Sequence, residues 1–408
     1  MPKNILIVSG VFIPEPVVSA NLQTQLATEL SKNYNVTVLR PRPSRPNGFK
    51  MPDYDYSQLP FNVIVIDSYT CSKSSLYGRY KETRSMGRVC ASYVDIHHDE
   101  IDFIYNDAWW LWGINMVAKA AVKNGIPYIS PVQDIYPESL MSKLPNIKLL
   151  RSIVMKMLAP IDLYTLTHAA KVHTISDKMM RQLSETRGIP EDRFVVVKNW
   201  QNEDEFIKYR DNHPDKEKND IFTFMYLGNI GPLAGIHTLF KALYKSGLKD
   251  ARLIVAGSGS ARNVLMEKAK EYTDCNIEFW NVPSGQVPAI QSKADVMCLP
   301  VKKGYAMTSI PSKLPAYMFS AKPVLASVDK ESDTAACITN ADAGWVAAPE
   351  DVDDIAQCMK EAYYTSSQEL IEIGKRGFDF SIQHLSKKMN LPMLVNACVE
   401  VIENQTRK

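Results

Sequence analysis

The second half of the chain contains a glycine-rich turn of the kind that can hold a phosphate group. Gly228, Gly231 and Gly235 follow a predicted strand at 222–227 and come at the start of a predicted helix at 234–246. Glycines let the backbone approach a phosphate closely, and a helix N-terminus offers free N–H groups and the positive end of its dipole. A tight strand-to-helix turn without a ligand is equally consistent with this spacing.

A second segment places a hydroxyl and a cation at the start of a short predicted helix. Ser312 and Lys313 open that helix, and a buried strand is predicted at 323–327. The helix dipole and the ammonium would both favour a diphosphate here; the alternative is a surface lysine at a helix start. Gly257-Ser258-Gly259 resembles the start of a dinucleotide fingerprint, but Arg262 stands where a further glycine belongs, which favours a plain strand-end turn.

Two carboxylates follow a predicted strand at 127–131 in the first half of the chain. Either residue, Asp134 or Glu138, could cap the helix that follows.

Two other clusters have simpler interpretations. The run 97–100 contains four possible metal ligands, but no second ligand set stands at zinc spacing, which favours a solvated helix end. Trp109, Trp110 and Trp112 follow a strand end at Asp107 and could stack on a sugar ring or face lipid. The interpretation as core residues is slightly favoured for these three.

One predicted helix, at 148–158, has the pattern of a segment that binds at a membrane surface. Its apolar residues share one face, and Lys148, Arg151 and Lys156 lie toward the other. An ordinary amphipathic helix packed on a sheet would show the same pattern.

These residues need elements to position them, and the chain supplies strands that alternate with helices in both halves. Such alternation predicts parallel sheets built from βαβ units. A polar stretch at 202–220, with a proline and no apolar periodicity, is the best linker candidate. We therefore predict an α/β protein with two Rossmann-like domains, at 1–201 and 221–384, facing a cleft, with ligands at the carboxyl ends of the strands.

Composition excludes several classes of protein. The 408 residues include 47 Lys and Arg against 45 Asp and Glu, and this net charge of +2 argues against a nucleic-acid partner. Seven cysteines are spread singly without a CxxC pair, which fits reduced thiols in a cytosol. The apolar run at 5–8 is too short for a signal peptide, and no apolar stretch reaches ~18 residues, so no membrane-spanning helix is expected.

Several stretches, taken in order, resemble the retaining glycosyltransferases of family 4, which have the GT-B fold. The resemblance is nearest to the WbuB or WcaI type of transferase in colanic-acid, O-antigen and capsule assembly. It extends over about residues 4–380. The matching stretches are 12–15, 41–48, 132–139, 173–177, 188–190, 198–200, 226–231 and 311–313.

The resemblance implies a donor site for a nucleotide sugar in the second domain. Lys313, together with Ser312, would bind the diphosphate and stabilise the leaving nucleotide, which is where most catalytic gain is expected. Asn229 and Ala234 stand where many relatives have cations. The donor-side positions that the resemblance implies are Gly228, Asn229, Gly231, Gly257, Ser312 and Lys313.

Another departure from the family pattern concerns acidic residues. Thr308 and Ala316 stand where many relatives have two glutamates, the second of which usually holds the donor ribose. Glu331, with Ser332 beside it, could take over that role at the end of the next strand.

On the acceptor side, the resemblance implies that Asp134 is catalytic, with Glu138 and Glu15 near it. Asp134 could orient or deprotonate the acceptor hydroxyl, and this role and that of a helix cap carry equal weight. Glu138 could serve the same site or cap the helix. It also implies that the last predicted helix, at about 385–408, returns to the first domain. No metal and no cofactor other than the nucleotide-sugar substrate are expected.

The predicted reaction is a retaining transfer of a sugar to a polyprenyl-diphosphate-linked saccharide in bacterial surface-polysaccharide assembly. The enzyme would lie on the cytoplasmic face of the membrane, with the helix at 148–158 as a contact. Two alternatives stay open. A GT-B-fold nucleotide-sugar epimerase would use the same donor site without an acceptor, and a catalytically degenerate scaffold would explain the missing acidic pair.

Overall fold

The structure is a computed structural model in which the chain forms two compact units. The first contains the residues up to Lys198 together with those from Leu391 onward, and the second runs from Asn199 to Asn390. The residues that the structure describes are 2–45, 53–71, 75–108, 110–141, 144–213, 220–232, 234–304 and 310–404.

The first unit is built around a seven-stranded parallel sheet. Its strands are β1 (Asn4–Ser9), β2 (Asn35–Pro41), β3 (Asn62–Ile66), β4 (Phe103–Asp107), β5 (Tyr128–Val132), β6 (Lys171–Thr174) and β7 (Phe194–Val196). They lie in the order β3-β2-β1-β4-β5-β6-β7, so the order reverses between β1 and β4. The run at 5–8 is fully buried because helices cover both faces of such a sheet.

Within the described residues of this unit, six α-helices connect these strands. They are α1 (Val18–Leu30), α2 (Leu76–Ile96), α3 (Trp110–Lys123), α4 (Glu138–Met141), α5 (Lys148–His168) and α6 (Asp177–Arg187). Helices α2 and α3 approach closely because a glycine lies on each: a Cβ at Gly87 would overlap the Cα of Gly113. Ser75 and Ser176 cap the N-termini of α2 and α6, each accepting a hydrogen bond from the backbone N–H three residues later.

The second unit repeats this plan around a six-stranded parallel sheet, in the order β10-β9-β8-β11-β12-β13. Its strands are β8 (Phe222–Leu227), β9 (Ala251–Ala256), β10 (Asn276–Trp280), β11 (Val296–Pro300), β12 (Val324–Ser327) and β13 (Gly344–Ala347). Its helices are α7 (Asp204–Asn212), α8 (Ile236–Ser246), α9 (Arg262–Ala269), α10 (Val287–Ser292), α11 (Lys313–Phe319), α12 (Asp333–Asn340), α13 (Val352–Tyr364) and α14 (Ser367–His384). Two Rossmann-like parallel-sheet units are therefore present, as the alternating pattern predicts.

The segment 202–220 differs from the predicted linker. Its first part forms α7, and that helix belongs to the second unit because Phe206 is buried against the ring of Phe319, 5.9 Å between centroids. A single buried aromatic on a polar helix gives no periodic signal, so the pattern of the sequence hides it. Residues 214–219 lie outside the described part of the chain.

The last helix, α15 (Lys387–Asn404), begins in the second unit and continues in the first. In the second unit, the Glu203 carboxylate accepts hydrogen bonds from the backbone N–H groups of Lys387 and Lys388, at 2.8 and 3.1 Å. In the first unit, Glu400 on α15 pairs with Lys171 on β6, at 2.8 Å. None of the described helices combines the length and the apolar character that crossing a bilayer would need.

Candidate functional site

In the second unit, a cavity of about 380 Å³ opens at the carboxyl ends of β8, β9 and β10. Gly228 and Gly257 follow two of these strands, and a Cβ on Gly257 would overlap the carbonyl oxygen of Gly228. Both glycines have a positive φ, 154° and 129°, so these turns need glycine for conformation as well as for space. The residues lining the cavity are Leu227, Gly228, Asn229, Gly257, Ser258, Asn281 and Val282.

Lys313 contacts this turn directly. Its aliphatic stem lies where a Cβ of Gly228 would be, and its Nζ stands 5.6 Å from the centroid of the Tyr226 ring. Burial lowers the pKa of Lys313. Within the described part of the chain, no carboxylate lies within ion-pair distance of this ammonium. A partly buried cation without an acidic partner is suited to an anionic ligand.

Tyr317 fixes Lys313 in this place. Its hydroxyl donates to the carbonyl oxygen of Leu227 at 2.8 Å and accepts from the N–H of the same residue at 3.0 Å. Burial raises the pKa of Tyr317 well above its ordinary value, so the hydroxyl keeps its proton. Because Tyr317 lies one turn after Lys313 on α11, this pair of hydrogen bonds ties the helix start to the end of β8.

The structure thus brings together several of the residues predicted for the donor side. A Cβ built on Gly231 would lie 3.5 Å from Nδ2 of Asn229, so these two residues are neighbours in the turn. Ser312 stands at the N-cap of α11 and makes no side-chain cap hydrogen bond.

Other donor-side predictions lie elsewhere. Ser332 is buried and caps α12 by accepting from the N–H of Ala335 at 3.2 Å, and neither it nor the exposed Glu331 lines this cavity. Ala316 is buried in an apolar cluster with Phe206 and Phe319, so this position is core rather than a place for a carboxylate. Thr308 lies outside the described residues.

The first unit contains a larger cavity, of about 520 Å³, at the carboxyl ends of β1, β4 and β5. It therefore spans the point where the strand order reverses, which is where open parallel sheets bind ligands. Its polar lining residues include Arg45, Asp107, Ser130, Gln133, Asp134, Asp162 and Thr165. Its apolar lining residues include Val17, Trp110, Leu111, Ile114, Val132 and Leu166.

Asp107 is the acidic residue nearest the centre of this sheet edge, and the sequence patterns do not single it out as a site residue. It is the last residue of β4, and its carboxylate accepts a hydrogen bond from Gln23 Nε2 at 2.8 Å. Burial raises the pKa of Asp107 to about 7, against the lowering effect of the Gln23 hydrogen bond. The one signal in the sequence that could have identified Asp107 is a carboxylate at the end of a strand.

Asp134 follows β5 and lines the same cavity, as its position after a strand suggests. Tyr136, two residues on, also lines it, and its ring stands 5.7 Å from that of Trp110. Trp110 is therefore at the cavity wall rather than wholly in the core, whereas Trp112 packs edge-on against Tyr80. Trp109 lies outside the described residues.

Glu138 has a different position from the one predicted. Both of its carboxylate oxygens accept from Arg187, at 2.6 and 2.8 Å, and it does not line the cavity. Burial alone would raise the pKa of Glu138, but the hydrogen bonds and charge of Arg187 outweigh it and lower that pKa. Arg187 also donates to Asp162 Oδ2 and to the carbonyl of Tyr136, both at 2.8 Å, so Glu138 orients a cation that holds the cavity wall.

Asp162, on α5, is a cavity residue that sequence patterns missed. Burial raises its pKa to about 6, although the hydrogen bond from Arg187 acts in the opposite direction. Its partner is a helix-end arginine 25 positions away in the chain, so no local pattern joins them.

Glu15 also lies inside the protein and not on the cavity. Its carboxylate accepts from the backbone N–H groups of Phe12, Ser44 and Arg45, at 3.0, 2.8 and 2.8 Å, and from Arg40 at 3.1 Å. Burial raises the pKa of Glu15, against the effect of these partners. Glu15 therefore fixes the backbone of Arg45, which does line the cavity.

The cluster at 97–100 forms the end of α2 and the turn after it, where His97 Nδ1 lies 3.2 Å from Glu100. In the described residues, no group of three or more His, Cys, Asp or Glu side chains is placed to hold a metal ion.

Comparison with known proteins agrees with this architecture. Residues 21–200 match a family model of the glycosyl transferase 4-like domain, and residues 221–364 match that of glycosyl transferases group 1. The probable glycosyltransferase WbjE of Pseudomonas aeruginosa is 23% identical over 246 residues, which are 58% of this chain and 60% of that protein. This chain thus spans less than two thirds of the length of that relative.

Two solved structures show the same fold. HepE of Anabaena, in complex with UDP-glucose, superposes with a TM-score of 0.64 at 15% identity, over 98% of this chain and 99% of HepE. WaaG, a glycosyltransferase involved in lipopolysaccharide biosynthesis, superposes with a TM-score of 0.64 at 14% identity, over 97% and 99% of the two chains. With both of its units matched by glycosyltransferase domains, the chain belongs to the glycosyltransferases of the GT-B fold.

Proposed function

We propose that this protein transfers a sugar from a nucleoside-diphosphate donor, bound in the second unit, to a hydroxyl of a saccharide bound in the first. The observation that carries the proposal is the Lys313 ammonium, held against Gly228 at the end of β8 with no described carboxylate beside it. HepE, which has the same fold, binds UDP-glucose.

Lys313 would act on the leaving group. When the bond between the anomeric carbon and the β-phosphate oxygen breaks, negative charge develops on the diphosphate. A preorganised ammonium in a partly buried site stabilises that charge more than water would. Binding of the diphosphate would raise the pKa of Lys313 again, because an opposite charge favours the protonated form.

Asp107 and Asp134 are the acceptor-side candidates. A carboxylate that accepts a hydrogen bond from the acceptor hydroxyl orients its oxygen toward the anomeric carbon. We infer retention of configuration from the family resemblance: the acceptor oxygen attacks from the face that the diphosphate leaves, and the departing phosphate oxygen takes the proton. Glu138 and Glu15 support this wall through Arg187 and Arg45 and are not themselves acceptor contacts.

The acceptor that we propose is a lipid-linked saccharide of bacterial surface-polysaccharide assembly, and WaaG and the family resemblance support this choice. Helix α5 supports it further, since Leu149, Ile153 and Met157 lie four residues apart on one face and are 72%, 48% and 68% exposed. An exposed apolar stripe beside lysines suits a membrane interface, which would place the enzyme at the cytoplasmic surface of the membrane.

Fewer basic side chains of α5 are available to contact lipid than the sequence pattern implies. Arg151 donates to the carbonyl oxygens of Leu144 and Pro145, at 2.8 and 3.1 Å, so it fixes the loop before the helix. Lys148 and Lys156 are the lysines that would meet anionic lipid. The C-terminal half of the same helix contributes Asp162 and Thr165 to the cavity wall.

A turnover assay separates this function from its alternatives. Purified protein is incubated with UDP-glucose, UDP-N-acetylglucosamine, GDP-mannose or dTDP-glucose, with and without a bacterial lipid extract, and the sugars are analysed by proton NMR. Transfer predicts nucleotide release that requires the extract. Conversion of the free nucleotide sugar without extract would favour the epimerase, and neither change with any donor would favour the scaffold that the missing acidic pair suggests.

A further inference from the structure

A chain of buried polar side chains leads to Asp107 from inside the first unit. Gln23, on α1, is 6% exposed, and its Nε2 donates to Asp107 Oδ2 at 2.8 Å. Tyr105 precedes Asp107 by two residues on the same face of β4, and its buried hydroxyl lies 2.9 Å from Nδ1 of His173 on β6. Asp107 lines the larger cavity and the other three do not, so they would act on a ligand there through Asp107.

The direction of the hydrogen bonds in this chain follows from His173. Burial lowers the pKa of His173 to about 4, so its ring is neutral and has one N–H. Nε2 lies 3.0 Å from the carbonyl oxygen of Val197, which can only accept, and the proton is therefore on Nε2. Because Nδ1 must then accept, the Tyr105 hydroxyl donates to it. The Tyr105 oxygen is left as an acceptor.

This direction fixes which end of the Gln23 amide faces Asp107. Burial raises the pKa of Tyr105 well above its ordinary value, and the neighbouring Gln23 amide acts in the opposite direction. The Tyr105 oxygen and an ionised Asp107 both need a donor, and only the NH₂ end of the amide supplies one. The opposite orientation would set Oε1 against the carboxylate oxygen. Gln23 therefore presents its donors to Asp107.

The Gln23 amide does not serve the stability of the fold. Its Oε1 is buried and has no hydrogen-bond partner among the described residues. An unpaired buried acceptor destabilises the folded protein, and an apolar side chain of similar shape would avoid this. The presence of an amide at this position is explained by the carboxylate to which it donates.

Asp107 is the end of the chain that meets the cavity. Within the described residues its Oδ1 accepts no hydrogen bond, so Gln23 holds one carboxylate oxygen and the other is left for a ligand. Ser130, on β5, lines the same cavity and is 1% exposed, yet its hydroxyl oxygen has no partner in the part of the chain described. Buried hydroxyls are nearly always hydrogen-bonded, which indicates that a polar ligand enters here.

We propose that Gln23 is a positioning residue for the transfer: it holds Asp107 Oδ2, so that Oδ1 is left to accept from the hydroxyl of the acceptor saccharide. The Tyr105–His173 pair fixes the amide in this orientation. A carboxylate that is already held at one oxygen loses less freedom when it binds and orients its partner better. The proposal rests on the proposed function, because it takes Asp107 as the acceptor-side carboxylate.

The titration of Asp107 reports on this hydrogen bond. Burial raises the pKa of Asp107 and the Gln23 hydrogen bond lowers it. The other titratable or charged groups that share its cavity or its chain of hydrogen bonds, with the thiol beside Tyr105, are Arg45, Tyr105, Asp134, Asp162, His173 and Cys398. All of these stay in place when Gln23 is replaced, so a change in the titration is assigned to the amide.

Carbon-13 NMR of the full chain, labelled at the aspartate carboxyl carbon, tests the proposal without any substrate. The Asp107 signal is the one lost in Asp107→Asn. In Gln23→Met, which removes the donor and keeps the shape, we expect the midpoint of that signal to rise by about one pH unit. In Gln25→Met, the same change two residues later on α1, the midpoint should stay as in the parent. An unchanged midpoint in Gln23→Met would overturn the proposal.

The parent protein provides a second measurement, which does not depend on the folding of a Gln23 variant. When glutamine is labelled with nitrogen-15 in its side-chain amide, one amide signal should shift with the same midpoint as the Asp107 carboxyl. That shift should be absent from Asp107→Asn. A parent protein in which no glutamine amide follows this midpoint would contradict the proposal.

The acceptor-dependent rate separates positioning from a merely structural role. With the bacterial lipid extract as acceptor, the rise of the rate with pH should move upward in Gln23→Met by the same amount, about one unit. A structural role would lower the rate at every pH without moving the rise, and that outcome would overturn the proposal.

The two readouts also keep the two proposals distinguishable. A shifted carboxyl midpoint in Gln23→Met, with no transfer by the parent protein, would count against the proposed function. An unshifted midpoint beside normal transfer would remove Gln23 alone and leave the proposed function intact.

Discussion

The two cavities lie at the same place in their sheets but have different charged groups beside them. In the second unit, one partly buried lysine faces a glycine turn, and no described carboxylate lies within ion-pair distance of it. In the first unit, three aspartates and one arginine line the wall, and the cationic partner of Asp162, Arg187, is shared with Glu138. The comparison teaches that the fold supplies the position of a site, while a few side chains decide whether it suits an anion or a donor of hydrogen bonds.

Lys313→Ala should give the largest effect, because it removes the ammonium held against Gly228, which in the proposed reaction meets developing charge. We expect kcat to fall about 10²–10³-fold, as for the loss of one preorganised electrostatic contact. Lys241→Ala, at an exposed position on α8, is the matched control and should leave kcat unchanged. Comparable rates in the two variants would remove Lys313 from the mechanism.

Gly257→Ala tests whether the glycine turn is needed for close approach. The new Cβ would overlap the carbonyl oxygen of Gly228, so we expect loss of nucleotide binding together with a lower unfolding temperature. Gly247→Ala also changes a glycine with a positive φ, 67°, but there the new Cβ would meet open space. It should lower stability by about 1 kcal/mol and leave nucleotide binding unchanged, as calorimetry can show.

Asp134→Asn tests the acceptor side. We expect the transfer rate to fall about 10²-fold while nucleotide binding stays the same, because the neutral amide accepts less strongly from the acceptor hydroxyl and orients it less well. The measurement is the acceptor-dependent rate beside a nucleotide titration. Full activity in this variant would leave Asp107 as the acceptor-side carboxylate.

Asp107→Asn should change the pH dependence. Because burial raises the pKa of Asp107 to about 7, the acceptor-dependent rate should rise as the pH increases through 7 in the parent protein. The variant should be slower by about 10-fold at pH 8 and lack this rise. A variant that keeps the rise would place the titrating group elsewhere.

The same pKa has a consequence for stability. The folded protein binds the Asp107 proton more tightly than the unfolded chain, so this group lowers the free energy of unfolding as the pH rises from about 4 to about 7. Asp107→Asn removes that penalty. Its unfolding temperature, relative to the parent, should therefore be higher at pH 8 than at pH 5, and a difference of the opposite sign would contradict the assignment.

The smallest effect on catalysis is expected from α5. The double variant Leu149→Glu/Met157→Glu should bind phosphatidylglycerol vesicles more weakly in a flotation assay. Its activity on a short water-soluble acceptor should stay within twofold of that of the parent protein. Val264→Glu, on α9 at a comparable exposure of 59%, is the control for a new surface charge. Equal flotation of the parent protein, the α5 variant and the Val264→Glu control would show that α5 is not the membrane contact.

The sequence predicts the cavity of the second unit better than that of the first, for a physical reason. Gly228 and Lys313 each stand in a short local pattern, a strand followed by a turn and a helix, so their chemistry is visible before folding. Their contact, 85 positions apart, follows from the parallel sheet, since both come at the carboxyl ends of strands.

The cavity of the first unit is assembled from residues that no local pattern links. Asp107 and Asp162 stand on separate elements, and their partners Gln23 and Arg187 lie far away in the chain. Glu138 has the residue type and spacing of a site residue, but its carboxylate forms an ion pair with Arg187. Sequence position gives the strand end at which a carboxylate lies; which cation it meets is decided by packing.

Thermal unfolding with UDP, GDP, ADP and dTDP tests the central claim most directly, because it asks whether the cation of the second unit holds a nucleotide. A ligand that binds only the folded state at ~100-fold above its Kd adds ~2.7 kcal/mol to the free energy of unfolding. We predict stabilisation by one nucleotide, lost in Lys313→Ala and kept in Lys241→Ala. No stabilisation by any nucleotide, or the same stabilisation in Lys313→Ala, would contradict the account.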